Sequence, residues 1–133
     1  MSKYGNQTFK NKFINALNGF KIQLTRQQST KRQLWGTFIF IIFAVLLKFN
    51  SIEYCLLGII ITTIFMAEFI NSTIEYIQDA LFGNEYSEIA KISKDMAAGI
   101  VLYAFMMAVI TGAFLYIPKI IQLIKLSGKH VIL

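Results

Sequence analysis

The chain has very little of what disulfide-bonded, histidine-metal or secreted proteins depend on. It contains one cysteine, Cys55, and one histidine, His130. A single cysteine excludes a disulfide within the chain, and a single histidine excludes a metal cluster built on histidines. The polar opening MSKYGNQTFKNK has no apolar core of the kind that signal peptides carry, so we expect no cleavage there.

Acidic residues are missing from the first third of the chain. Seven lysines and arginines precede residue 34, whereas all seven aspartates and glutamates follow residue 50. A basic flank beside a membrane segment favours the cytoplasmic side and attracts anionic lipid headgroups. Nucleic acid would also attract this charge, but a chain that is 56% hydrophobic and 15% charged argues against a nucleic-acid partner.

Long apolar runs make up much of the rest of the sequence. They predict an all-α membrane protein that forms a single domain over residues 1–133. Three runs are candidates for transmembrane helices, at residues 34–48, 54–82 and 96–117. The first is short for a hydrocarbon core about 30 Å thick, whereas the third has no charged residue along its length.

The segment before these runs, residues 7–27, has phenylalanine and leucine recurring every three or four residues. This spacing predicts an amphipathic helix that lies on the membrane surface. A bundle helix with one face in water has the same pattern and is the alternative. The expected fold is therefore an N-terminal surface helix followed by three transmembrane helices.

The ends of the predicted helices are marked by glycine and proline. We expect Gly83 and Asn84 to end the second transmembrane helix, with a polar loop over residues 83–95. Pro118 is expected to end the third helix and to leave residues 118–133 as a basic tail. With three crossings the N-terminus and the polar loop lie on one side of the membrane, and the early basic cluster makes that side cytoplasmic.

Three carboxylates follow the second apolar run, in the stretch AEFINSTIEYIQD. With about 100° of rotation per helical residue, one stripe contains Glu68, Asn71, Ser72, Glu75 and Asp79. Glu68 and Glu75 are separated by a rise of about 10 Å, which is too far for a paired acid and base but suits separate tasks. Because ionisable residues at a membrane boundary cost energy, the stripe indicates a site; a helix that has simply emerged into water is the alternative.

Lys94 and Asp95 stand where we expect the third transmembrane helix to begin, on the same side as the acidic stripe. The free amides and positive dipole end of a helix N-terminus, with a lysine beside them, would seat a phosphate. Nearby carboxylates would hold a hard cation such as Mg²⁺. Ordinary helix-start charge is the alternative, and without a P-loop pattern any nucleotide site must be of another type.

The stretches EFINSTIEYIQD, residues 68–79, and EYSEIAKISKDMAAG, residues 85–99, resemble the prokaryotic diacylglycerol kinase family, which includes the undecaprenol kinases. That family carries E-x-x-N-S/T, a small and an aliphatic residue, then E-x-x-V/I-D, with K-D-x-A-A downstream. Thr73 departs from the small residue that is usual at its position. The resemblance extends over about residues 9–122. It implies a homotrimer with sites composed by neighbouring protomers.

The resemblance also implies roles for single residues. Glu68 matches the family's general base, which takes the proton from the lipid hydroxyl, and Glu75 matches a ligand of the metal and of ATP. The other matched positions are nucleotide-binding or active-site residues: Asn71, Asp79, Glu85, Tyr86, Ser87, Lys94 and Asp95. The implied reaction uses ATP and Mg²⁺ to phosphorylate a membrane lipid alcohol.

The match is poorer before residue 34. Gln27 falls where many members carry a metal-binding glutamate, and Gln33 where a histidine is usual. A neutral amide oxygen can contact a hard cation but supplies no charge. We therefore expect Mg²⁺ to bind more weakly, or to rest on Glu75 and the ATP phosphates.

The sequence thus predicts a multi-pass lipid kinase of a bacterial-type inner (cytoplasmic) membrane, with its N-terminus in the cytoplasm. The lipid is diacylglycerol or undecaprenol; the A-A-G after Asp95 and the I-P-K at residues 117–119 lean towards the undecaprenol branch. A non-catalytic membrane protein is the alternative, either an inactive family member or a small transporter. A transporter would be expected to place a charge in mid-span, whereas these charges cluster at the membrane edge.

Overall fold

The computed structural model describes residues 8–83 and 85–130, and these form four α-helices. In chain order they are α1 (Phe9–Arg26), α2 (Gln28–Leu46), α3 (Ser51–Phe82) and α4 (Glu88–His130). Some predicted positions lie outside the described residues. They are residue 7 of the surface helix, Asn84 of the turn, and residues 131–133 of the tail. Over the described part of the chain the all-helical prediction is confirmed.

A single residue separates α1 from α2. Gln27 has φ −82° and ψ 119°, an extended backbone conformation between two helices. The helix expected from residue 34 begins at Gln28 instead. The polar stretch from Gln28 to Gln33 contains no glycine or proline, so nothing in it prevents the helix from extending beyond its apolar part.

α3 is fixed at both ends by residues that its sequence provides. The Asn50 side chain accepts hydrogen bonds from the amides of Ile52 and Glu53, while the Glu53 carboxylate accepts one from the Asn50 amide at 2.7 Å. This reciprocal pair satisfies amides that a helix start leaves free. The helix then runs unbroken for 32 residues to Gly83, whose φ of 55° and ψ of −122° favour glycine.

The predicted start of the last transmembrane helix is wrong. α4 begins at Glu88, so Lys94 and Asp95 lie inside the helix and not at its free N-terminal amides. Ser87 closes the helix start: its carbonyl accepts from the Lys91 amide at 3.0 Å, and its hydroxyl accepts from the Ala90 amide at 3.4 Å. Serine is a favoured residue at this capping position, which explains why the polar stretch after it is helical.

The predicted end of that helix is also wrong. Pro118 lies within α4, which continues to His130, so residues 118–130 are helical and not an irregular tail. Proline removes one backbone hydrogen bond and bends a helix, but long apolar helices tolerate it when neighbouring groups hold the chain in place. The residue after it is held in this way, because Lys119 Nζ lies 3.0 Å from the Glu53 carboxylate on α3.

α2 and α3 run antiparallel from the tight turn of residues 47–50. A small apolar core lies close to this turn, made of Ala44, Phe49, Leu57 and Leu115. α4 joins it through the Tyr116 hydroxyl, which donates to the backbone carbonyl of Phe40 at 2.7 Å. The three long helices are therefore tied together at the end of the bundle that holds the turn.

Among the described helices, α3 and α4 are long and apolar enough to cross a membrane, judged by length and composition. Only 22% and 11% of their most apolar stretches are buried within the chain, unlike the core helices of a soluble protein. From Asn50 to Glu68 α3 rises about 27 Å, close to the ~30 Å of a hydrocarbon core. A crossing by α3 that starts at the α2–α3 turn would place Glu68 near the opposite boundary, and a membrane crossing by α2 stays a prediction.

Candidate functional site

Asn71 and Glu75 lie on adjacent turns at the polar end of α3. The Asn71 Nδ2 donates to Oε1 of Glu75 over 2.8 Å. Residues four apart face the same way on a helix, so this bond follows from the spacing of the two residues. The Asn71 Oδ1 is buried and has no hydrogen-bond partner among the described residues. An available amide oxygen thus accompanies an exposed carboxylate, and hard cations prefer ligands of this kind.

α4 brings a cation to the same stripe of α3. The Lys94 Nζ lies 2.7 Å from Oδ1 of Asp79. The two side chains keep 42% and 67% of their exposure, so the pair stabilises the fold by at most about 1 kcal/mol. Its main consequence is positional, because it holds an ammonium group beside the acidic stripe with its remaining donors open to solvent. Two residues predicted to share one site are therefore brought together.

The segment before α4 carries three more of the predicted nucleotide-binding residues. Glu85 is exposed, and Tyr86 keeps 82% of its surface open. Ser87 caps α4, so its hydroxyl already has a structural task. This segment lies about 10 Å along the helix from Lys94. Asp95 is exposed beside Lys94, and the described contacts assign it no partner in the stripe.

Ser72 of the predicted stripe faces a buried polar cluster that connects three helices. The Gln23 Nε2 on α1 donates to the hydroxyl of Ser72 on α3 at 3.0 Å and to the hydroxyl of Thr30 on α2 at 3.1 Å. Thr30 is 0% exposed and Ser72 is 2% exposed. One amide group thus satisfies two buried hydroxyls and fixes α1 against α2 and α3.

A groove of about 620 Å³ opens between α2, α3 and α4, and Glu68 lines one end of it. Ser29 and Gln33 on α2 also line it; because α2 and α3 are antiparallel, they lie towards the Glu68 end. The rest of the lining is mostly apolar and includes Phe40, Ile60, Ile64, Phe105 and Val109. A carboxylate at the end of an apolar groove fits a ligand with one polar end and a hydrocarbon body.

Comparison with known proteins now identifies the family. The model of the prokaryotic diacylglycerol kinase family matches residues 14–116, which is most of the chain. The chain belongs to this family. The matched region contains α2, α3 and the part of α4 that carries Lys94, and therefore all the site residues described above.

Two relatives illustrate the range of the diacylglycerol kinase family. The chain is 38% identical over 80 residues to a diacylglycerol kinase of Synechocystis sp., an alignment that covers 60% of this chain and 46% of that protein. It is 31% identical over 75 residues to the undecaprenol kinase of Bacillus subtilis, which covers 56% of this chain and 60% of that protein. The chain thus spans about half the length of the relatives that it matches.

The resemblance to diacylglycerol kinases implies a bound Mg²⁺ ion. The residues of the stripe would supply only some of the ligands of such an ion. Within residues 8–83 and 85–130, no three His, Cys, Asp or Glu side chains lie close enough together to hold a metal ion. Glu75 and the unpartnered oxygen of Asn71 would supply two oxygen ligands to a bound Mg²⁺. Mg²⁺ usually takes one or two carboxylates and completes its shell with substrate phosphates and water. Gln27 lies at the α1–α2 break, and its contact with the metal stays a prediction.

The buried or groove-lining positions of the Gln23 and Gln33 side chains do not follow from the sequence. Polar residues on amphipathic helices are expected to face water, yet both side chains take part in buried or groove-lining arrangements. A usable signal was present in α2, where Ser29, Gln33 and Thr37 recur at intervals of four residues. That spacing places three polar side chains on one face of an otherwise apolar helix.

Proposed function

We propose that this chain is an ATP- and Mg²⁺-dependent lipid kinase that phosphorylates the hydroxyl of a membrane lipid alcohol, diacylglycerol or undecaprenol. The observation that carries the proposal is the position of Glu68, which belongs to the polar stripe of α3 and also lines one end of the apolar groove. The groove suits the lipid, and the stripe with Lys94 suits the triphosphate. Phosphoryl transfer needs these two partners to meet in a fixed geometry, with little covalent work left to the protein.

At the lipid end, Glu68 accepts the proton of the lipid hydroxyl at a carboxylate oxygen. The hydrocarbon chains lie in the groove between α2, α3 and α4, which keeps the hydroxyl near the membrane boundary. Water is scarce there because the lining residues are apolar. Removal of the proton makes the hydroxyl oxygen a better nucleophile. This oxygen bonds to the γ-phosphorus as the bond to the β-phosphate oxygen breaks, so ADP leaves and the lipid carries the phosphate.

At the nucleotide end, Lys94 binds phosphate oxygens with the donors that its contact with Asp79 leaves open. Glu75 and Asn71 are the residues that would hold Mg²⁺, which supplies charge neutralisation on the phosphates when it is bound. Asp79 orients Lys94, and Asp95, Glu85, Tyr86 and Ser87 border the nucleotide. Glu68 and Glu75 thus serve the two ends of one reaction across a rise of about 10 Å.

In the membrane, α2 is proposed as a third transmembrane helix beside α3 and α4. The basic residues of α1 and of the start of α2 place the N-terminus and the site on the cytoplasmic side, where ATP is present. A homotrimer is proposed as the assembled form. It would bring further residues to the stripe, whose described donors are few for a metal site.

The proposal is tested by phosphate transfer in detergent micelles. The protein is supplied with labelled ATP, Mg²⁺ and either diacylglycerol or undecaprenol, and label is followed into the lipid. Glu68→Gln is expected to lower the rate at least a thousandfold and to leave ATP binding within about twofold of the wild type, because it removes only the base. Glu88→Gln, an exposed carboxylate in the first turn of α4, is the matched control and should keep the wild-type rate.

Unchanged transfer by Glu68→Gln would refute its role as the base. A second candidate function is a non-catalytic family member, and Gln27 is the observation that favours it, because a neutral amide stands where many members have a metal-binding glutamate. No transfer to either lipid by the wild-type protein at millimolar Mg²⁺, with ATP still bound, would support this second function.

A further inference from the structure

The polar end of the groove contains an amide side chain without a partner. Both side-chain polar atoms of Gln33, Nε2 and Oε1, are buried and have no hydrogen-bond partner among the described residues. The same side chain lines the groove with Glu68. A buried amide left without hydrogen bonds is costly, so its persistence at a cavity wall indicates a ligand that supplies them.

Three polar side chains line the groove near Gln33, namely Ser29 and Thr37 one turn away on α2 and Glu68 on α3, yet none of them bonds to the Gln33 amide. Towards the middle of the bundle the lining is formed by Ile60, Ile61 and Ile64 on α3 and by Phe105 and Val109 on α4. Among the described residues the Gln33 oxygen therefore has no donor and the Gln33 nitrogen has no acceptor. The two N–H donors of the amide then remain for whatever occupies the groove.

We infer that Gln33 is a specificity-determining residue that recognises a hydrogen-bond acceptor beside the reacting hydroxyl, and so selects a glycerol ester over a polyprenol. This inference rests on the proposed lipid kinase function. A polyprenol presents one acceptor, its hydroxyl oxygen, whereas a diacylglycerol presents that oxygen and an ester carbonyl a few bonds away. Two unpaired donors therefore match the diacylglycerol headgroup and leave one donor unsatisfied with a polyprenol.

Small residues keep the groove open for this occupant. Gly36 on α2 and Gly112 on α4 both line it, and a Cβ atom added at either position would meet no atom within 4 Å. The groove extends along α3 from Glu68 to Leu57, a rise of about 17 Å. This length suits an acyl chain whose ester group lies at the Gln33 end.

The test compares a 1,2-diacylglycerol with its 1,2-dialkyl ether analogue, which keeps the hydroxyl and lacks the carbonyls, and with undecaprenol. Binding of each lipid to the full chain in detergent is measured by native mass spectrometry, and kcat/KM is measured with labelled ATP. The wild type should prefer the ester to the ether about tenfold in both measurements, the ratio expected for one good hydrogen bond. Gln33→Met keeps the length of the side chain without its donors and should reduce this preference to within about twofold.

Gln28→Met is the matched control, because Gln28 is exposed at the start of the same helix and should keep the tenfold preference. Gly112→Leu should abolish binding of all three lipids, whereas Gly58→Leu, at a glycine with equally open surroundings outside the groove, should not. An equal affinity of the wild type for ester and ether, or an unchanged preference in Gln33→Met, would overturn the inference. A Gly112→Leu variant that no longer forms oligomers but keeps the ester preference would also overturn the inference. In that case a helix of a second copy, and not the lipid, would occupy the groove.

The binding measurement separates this inference from the proposed function. A Gln33-dependent ester preference in binding, without any phosphate transfer, would support the lipid recognition and refute the kinase activity. Phosphate transfer with no difference between ester and ether would support the kinase and refute the role of Gln33.

Discussion

At the residue scale, the amide of Gln23 has an unusual position for a residue of a surface helix. Its Nε2 is the shared partner of two hydroxyls, Thr30 and Ser72, that are almost fully buried. The ring of Phe20, one turn earlier, lies 5.4 Å from that of Phe69 on α3. α1 is therefore attached to the bundle by a polar and an aromatic contact next to Glu68, so its inner side packs against the protein.

Loss of the Gln23 amide should destabilise the protein more than loss of either hydroxyl. Gln23→Ala leaves two buried hydroxyls without a donor and should lower the free energy of unfolding by about 2–3 kcal/mol, whereas Ser72→Ala removes one hydrogen bond and should cost about 1 kcal/mol. Thermal unfolding in detergent followed by circular dichroism measures both. Thr25→Ala, whose hydroxyl bonds to a backbone carbonyl on an exposed face of α1, is the control and should change little. Equal effects of Gln23→Ala and Thr25→Ala would contradict the shared-donor role.

The metal requirement can be tested at another glutamine. The described stripe offers Mg²⁺ one carboxylate, Glu75, with the amide oxygen of Asn71. If position 27 contributes to the same metal, Gln27→Glu should lower the Mg²⁺ concentration that gives half-maximal phosphate transfer by about fivefold, because a carboxylate adds charge that an amide lacks. Gln28→Glu adds the same charge one residue away and should leave that concentration unchanged. An unchanged or higher requirement in Gln27→Glu would show that position 27 is not near the metal.

At the element scale, the helix ends decide where the site residues lie. α3 ends at Gly83 as predicted, whereas the Asn50–Glu53 pair starts it at Ser51, three residues before the predicted start. α4 differs at both ends, because Ser87 caps a polar first turn that resembles a loop, and because Pro118 ends helices only when no packing opposes it. The consequence for the candidate site is that Lys94 presents its ammonium group from well inside the helix, and not beside free helix amides.

The turn after α3 should be sensitive to a single methyl group. Gly83 has a positive φ with a ψ that residues with a side chain rarely adopt, so Gly83→Ala should destabilise the protein by about 1–3 kcal/mol even though the added Cβ has free space. Gly58→Ala, at an α-helical glycine with equally free space, should instead raise stability by about 0.5–1 kcal/mol. The midpoint of thermal unfolding in detergent measures both changes. Two shifts of the same sign would contradict the backbone explanation.

At the scale of the whole molecule, the charged contacts lie at opposite ends of the bundle. Glu53 and Lys119 pair near the α2–α3 turn, whereas Asp79 and Lys94 pair beyond Glu68. Residues 54–67 of α3 and 96–118 of α4, which lie between these charged ends, carry no charge and present largely exposed apolar surface. This arrangement is what a membrane requires, because ionisable groups are stable at its two boundaries and costly in between.

The site could be predicted from the sequence only where its residues share one helix. Glu68, Asn71, Glu75 and Asp79 follow from helical periodicity, and the Asn71–Glu75 hydrogen bond is a direct result of that spacing. The contacts that join different helices do not follow from any periodicity. The placement of Gln33 at the Glu68 end of the groove depends on how α2 packs against α3, which a single sequence does not specify.

The orientation of the molecule follows from its charge distribution and can be tested on whole membranes. The basic residues before α2 predict that the α3–α4 turn is cytoplasmic and the α2–α3 turn is external. In a Cys55→Ser background, which removes the native thiol, Tyr86→Cys should react with a membrane-impermeant maleimide only in inside-out vesicles. Ser51→Cys should react only from the outside of intact cells, because the 47–50 turn lies a full bilayer thickness away from residue 86. Labelling of both cysteines from the same side would contradict a membrane crossing by α3, and a reversed pattern would place the proposed kinase site where ATP is scarce.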